Sequence, residues 1–144
     1  MADFVFNVAK GKGAEKVADV PANIGILLLK VAESDAAMKD RTTITDVKSA
    51  STEADFTNYA RKTAITGTVV IDQAGDKVNI TIPNQTWTAA GGGVNNNLVK
   101  MVIFYEEAAA DGTRIPLIAF DAVITTTGTD IVTNFPSEGI YRAA

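Results

Sequence analysis

Apolar and polar positions alternate along much of the chain, and the period is two rather than 3.6. Val78, Ile80 and Ile82 alternate with Lys77, Asn79 and Thr81, so this segment reads as a strand with one buried and one wet face. Residues 65–72 precede it, and Asp72-Gln73-Ala74-Gly75-Asp76 supplies the turn of a hairpin. A second hairpin joins residues 98–106 to residues 114–124 through a polar turn around Asp111-Gly112. Its return strand carries Ile118, Phe120, Ala122 and Ile124 on one face. Pro116 cannot donate to a ladder, which puts the start of that strand at an edge or beside a bulge. The nearly unbroken aliphatic run from Ile24 to Val31 predicts a buried central strand.

Between the two hairpins lies the stretch around which the chain is organised, Pro83 to Tyr105. Trp87, the only tryptophan, is flanked by threonines and suits the edge of the core, where its ring would remove about 150–250 Å² from water. Gly91-Gly92-Gly93 and Asn95-Asn96-Asn97 tolerate positive φ, so they end one strand, start the next and form the most exposed loop.

The helical signals are short. Ser34 can cap a helix over residues 35–41, and Thr52-Glu53-Ala54-Asp55 resembles a capping box, with Phe56 and Tyr59 following at helical spacing. Residues 42–52 read as a polar connection with a short strand at 43–47. Further short strands are predicted at 131–133 and 139–142. At the N-terminus, Phe4, Phe6 and Val8 alternate before the break at Gly11-Lys12-Gly13, which fits an edge strand of the same domain or an arm packed on a neighbouring subunit. The expected fold is mainly β: an antiparallel sandwich or barrel-like single domain over residues 14–144, with one or two short helices and residues 1–13 as arm or edge strand.

Composition narrows the chemistry. With 13 basic against 17 acidic side chains the net charge is −4, which argues against a phosphate-backbone partner. The chain has no cysteine and no histidine, so disulfides, thiolate and imidazole ligands and the usual imidazole base are absent. The longest aliphatic stretch, residues 24–29, falls well short of the ~20 residues a spanning helix needs, and residues 1–6 lack a secretory pattern; no membrane partner is expected. Asp72, Asp76, Asp111 and Asp130 fall at predicted turns, where aspartate is favoured for capping its own backbone. Asp121 falls inside a strand and reads as a salt-bridge partner. Glu106, Glu107 and Asp111 give a remote cation site. Neither glycine cluster completes a phosphate-binding fingerprint. The sequence offers no active site and no cofactor site, so an enzyme is not expected.

Several segments in fixed order carry a resemblance. Phe56-Thr57-Asn58-Tyr59-Ala60-Arg61-Lys62, Pro83 to Gly92, Asn95 to Lys100, Ile115-Pro116-Leu117, Asp121-Ala122-Val123 and Gly139 to Ala144 together resemble a family of small structural proteins of tailed bacteriophages. The chain departs from that pattern at Phe120-Asp121, where relatives often carry His-Asp-Phe-like residues, and in a shorter turn over residues 106–112. The resemblance implies a capsid decoration protein on the virion exterior, assembled in the host cytoplasm, with the major capsid protein as partner and a homo-oligomer on the shell. It implies no catalytic residue. Expected subunit or capsid contacts are Phe4, Phe6, Lys10 and Lys12 of the arm, Gly91, Gly92, Gly93, Asn95, Asn96 and Asn97 of the loop, and Tyr141 and Arg142 of the last strand. A tail or tail-fibre component remains an alternative. So does a carbohydrate-binding surface module using Trp87, Tyr105 and Tyr141.

Overall fold

The aliphatic run Ile24–Val31 forms β2, buried at six consecutive positions as a strand covered on both faces must be. The computed structural model describes residues 4–10, 16, 17, 19, 21–75, 77–137 and 139–143. With 44% strand against 14% helix the protein is mainly β. On one side β2 pairs with β8 (Asn97–Glu106), in register from Ile24↔Tyr105 to Leu29↔Lys100. Its other side is shared by two short strands, β3 (Thr52–Glu53) opposite its C-terminal part and β4 (Lys62–Ile65) opposite its N-terminal part. Beyond β8 lies β9 (Arg114–Thr125), and β1 (Phe4–Val5) completes that edge. The β8–β9 register shifts between Ile103 and Phe104, which leaves Phe104 opposite Pro116: the proline sits at a bulge, where its missing N–H costs no ladder bond.

Two smaller sheets complete the domain. The expected hairpin is β5 (Thr68–Asp72) with β6 (Lys77–Thr81), extended by β11 (Tyr141–Ala143) on the far side of β6. The tryptophan strand β7 (Thr86–Ala90) pairs with β10 (Thr129–Val132). Every pairing is antiparallel and the sheets do not close into a barrel. One core joins all three, with Ile26, Leu27, Phe104, Ile80 and Trp87 among its members. Trp87 lies deeper than a core edge, at 2% exposure, and its indole N–H donates to the Ala60 carbonyl at 2.8 Å. Gly25 is dictated by packing, because a Cβ there would lie 2.3 Å from the Phe104 ring.

Three short helices have defined bounds among the described residues, α1 (Asn7–Lys10), α2 (Asp35–Met38) and α3 (Ile44–Ala50), against one or two expected. Ser34 caps α2 as the sequence suggests, accepting from the Ala37 N–H at 3.4 Å. The strand expected at 43–47 is instead the start of α3. Thr43 Oγ1 accepts from the Asp46 N–H, Thr42 donates to the Asp46 carboxylate at 2.7 Å, and Ile44 and Val47, three apart, are both fully buried. Threonines that read as strand formers here serve as the helix cap. The reverse correction applies at Thr52–Glu53, which forms β3 rather than a capping box. There the Ala54 N–H donates to the Leu28 carbonyl at 2.8 Å and keeps the chain extended along β2. Phe56 and Tyr59 still dock, edge to face at 5.1 Å, through a turn in which Asn58 takes φ 69°. The segment expected to run unbroken through 65–72 is likewise divided: Lys62–Ile65 joins the large sheet and β5 starts only at Thr68. No helix among the described residues is long and apolar enough to cross a membrane.

Candidate functional site

Leu28, Met101 and Phe120 are register partners across β2, β8 and β9, and cross-strand partners share a face. They form the floor of a cleft of about 340 Å³ walled by Trp87 of β7, Ile131 of β10 and residues 133–136. That last segment is held in place from one side. Thr133 exchanges hydrogen bonds with the Gln85 backbone at 2.6 and 2.8 Å, and the Asn84 side chain accepts from the Phe135 N–H at 2.8 Å. Phe135 stands 6.4 Å from Phe120, ring centre to ring centre. The lining is mostly apolar, and Ile124 and Val132 at its margin are 41% and 62% exposed, next to Val123 at 86%. Sequence alternation signals β9 and β10 separately; only the packing of the two-stranded sheet on the large one makes a cleft between them.

The glycine–asparagine loop is a rigid projection. Gly91 and Gly92 take φ of 93° and 97°, and Asn95 Oδ1 accepts from the Gly92 N–H at 2.8 Å. Thr57 ties the loop to the large sheet, accepting from the Gly91 and Val94 N–H groups at 2.9 and 2.8 Å. Asn96 is buried and fully used: it exchanges side-chain hydrogen bonds with Asp55, while its N–H donates to Thr126 Oγ1 at 2.8 Å. Gly92, Gly93, Val94, Asn95 and Asn97 are exposed, whereas Gly91 and Asn96 hold the loop from within.

The remaining expected contact residues are scattered. Phe4 is half-buried in β1, paired with Ala119, and Phe6 is fully buried in the core. The N-terminal strand therefore lies along its own sheet. Lys10 ends α1, Lys12 lies outside the described residues, and Tyr141 and Arg142 belong to β11 opposite Ile80 and Asn79. Trp87 and Tyr105, at 2% and 4% exposure, present no open ring face to a sugar.

The charged residues form two clusters that spacing does not reveal. In the first, Arg61 makes a bidentate pair with Glu53 (2.6 Å twice) and reaches Asp111 at 2.5 and 3.0 Å. Arg114 binds the same Asp111 at 2.8 Å and Glu106 at 2.7 Å, and Lys48 lies 3.1 Å from Asp111. Arg61, assisted by Arg114 and Lys48, holds the Asp111 carboxyl far below its usual range despite burial. Burial pushes Glu53 up, yet the hydrogen bonds from Arg61 and Tyr59 outweigh it and the net shift is down. Glu106 and Asp111 are thus engaged by arginine and Glu107 by Lys16, where the sequence suggested a cation site; no metal-holding group of acidic side chains occurs among the described residues. Arg61 is a structural clasp.

The second cluster centres on Lys100, in the middle of β8 and 1% exposed. Its ammonium donates to Asp121 at 2.7 Å, lies 2.9 Å from Asp35 Oδ1, and sits 5.4 Å from the centre of the Phe4 ring. Burial pushes this lysine down, but the hydrogen bond to Asp121 and the nearby Asp35 carboxylate prevail, and the net shift is up. The only signal in the sequence is a lysine inside an otherwise apolar run. No protein-family model, no curated protein and no solved structure matches the chain.

Proposed function

We propose that this protein is a structural component of a tailed-phage virion, a decoration protein that binds the outer surface of the mature head and stabilises contacts between capsid subunits. The observation that supports this reading best is the apolar cleft with its aliphatic margin of Ile124 and Val132. The charged side chains of both clusters are paired within the chain, and this margin and the loop over residues 92–95 are surfaces that a protein partner could cover. A side chain of the major capsid protein inserted in the cleft would bury apolar area on both sides. The segments that resemble phage structural proteins in fixed order support the choice of the major capsid protein as that partner.

Binding only the expanded shell stabilises that state by mass action, and repetition over a symmetric lattice, as a homo-oligomer, multiplies weak contacts into avidity. The test is the copy number of the chain relative to the major capsid protein in purified particles, by quantitative mass spectrometry. A ratio near one, or a simple fraction of it, is expected. A few copies per particle would place the protein in the tail or fibre instead, and absence from the particle would overturn the virion reading.

A further inference from the structure

We infer that Lys100 and Asp121 are placed to join in an intramolecular isopeptide bond, with Asp35 as the group that carries the proton. The two residues are direct register partners on β8 and β9, and the Lys100 nitrogen already lies 2.7 Å from an Asp121 carboxylate oxygen. Two backbone ladders hold nucleophile and carboxyl in contact, which replaces an encounter in solution with a fixed geometry.

The composition of the cluster is the second argument. Two carboxylates lie 2.7 and 2.9 Å from the same lysine nitrogen, so a second carboxylate is in reach of the proton that the first pairing must move. Asp35 Oδ1 is buried and, though within ion-pair distance, makes no aligned hydrogen bond, so it has acceptor capacity to spare. The Lys100 side chain is 2% exposed, and its nitrogen lies over the Phe4 ring. Burial of the lysine by itself favours the neutral amine, but the two carboxylates outweigh it, so the ammonium is the resting form and the amine is reached by proton transfer to Asp121.

The reaction balances without any outside reagent. A proton passes from the Lys100 ammonium to the Asp121 carboxylate, giving an amine and a carboxylic acid. The amine nitrogen attacks Asp121 Cγ, forming the N–C bond. Asp35 takes a proton from that nitrogen and returns it to the departing hydroxyl as the C–O bond breaks, and one water leaves. The products are a neutral secondary amide, water and an unchanged Asp35 carboxylate; nothing is oxidised or reduced. Asp35 and Asp121 keep 26% and 23% side-chain exposure, which gives the water a way out. The product would tie β8 covalently to β9 next to the register shift between Leu98 and Lys100, where the ladder alone is interrupted.

Mass spectrometry of the intact, full-length protein after purification and prolonged incubation decides the matter. The expected mass is one water, about 18 Da, below that of the sequence. Tryptic digestion should then yield residues 78–114 joined to residues 115–142 through Lys100 and Asp121, with no cleavage after Lys100. Asp121→Ala should keep the full mass, and Asp35→Ala should lose the water at least tenfold more slowly. A full sequence mass in the incubated wild-type protein overturns the proposal, as does a water loss confined to the Asp121 peptide, which a succinimide would give. An Asp35→Ala variant that links at the wild-type rate removes the proton-carrying role.

Discussion

Replacing Arg61 by methionine keeps most of the volume and stem of the side chain and removes only its guanidinium. That group makes four hydrogen bonds of 3.0 Å or less to Glu53 and Asp111, whose side chains are 16% and 23% exposed. Removing one partner of a fully buried ion pair costs about 3–5 kcal/mol, while exposed pairs contribute about 0–1. Partial exposure, and the remaining Arg114 and Lys48 contacts to Asp111, place this variant at about 2–3 kcal/mol. For a domain of this size that lowers the melting temperature by about 6–12 °C. Urea unfolding at pH 7, followed by the fluorescence of buried Trp87, measures it directly. Paired with Glu53→Gln, a double-mutant cycle should return a coupling of about 1–2 kcal/mol. The pH dependence has a definite sign. Glu53 and Asp111 have folded-state pKa values below their unfolded ones. The stability they contribute is therefore complete above the unfolded carboxylate range, about pH 4, and is lost as pH falls through the lowered values. In Arg61→Met those carboxylates protonate at higher pH, so the gap between variant and wild type should narrow below about pH 4. A loss under about 0.5 kcal/mol at pH 7, or a gap that does not change with acid, would refute the account of this cluster as a clasp.

Three further outcomes follow from particular contacts. Thr43→Ala removes the α3 cap that accepts from the Asp46 N–H and should cost about 1 kcal/mol in chemical denaturation, whereas a strand at this position would be nearly indifferent to the change. Phe6→Ala empties a fully buried site and should cost about 3–5 kcal/mol, so deleting the N-terminal strand would damage the fold rather than only weaken an intersubunit contact. Ile124→Asp with Val132→Asp changes two exposed positions of the cleft margin, so stability should stay within about 1 kcal/mol of wild type while affinity for mature capsids falls at least about tenfold; unchanged capsid binding would remove the cleft margin from the proposed interface.

By itself the sequence determined the strands with a strong local signature. Alternation in residues 77–82, the aliphatic run of β2 and the long hairpin of β8 and β9 each encode their state within ten or so residues, because strand geometry imposes a period of two wherever one face is buried. Ser34 and Pro116 announce a cap and a bulge through what their own atoms can and cannot bond. Where local signals are ambiguous, tertiary contacts decided. Thr43 becomes a cap because Ile44 and Val47 can be buried together only on a helix, and Thr52–Glu53 stays extended because β2 offers it an open edge. The same holds for everything proposed to act. The cleft joins Leu28 to Pro136, the clasp joins Arg61 to Asp111, and the lysine cluster joins Asp35 to Asp121, all only through sheet register and packing of the sheets. Register is a long-range property, set by which buried faces fit together, and no local pattern in the chain records it.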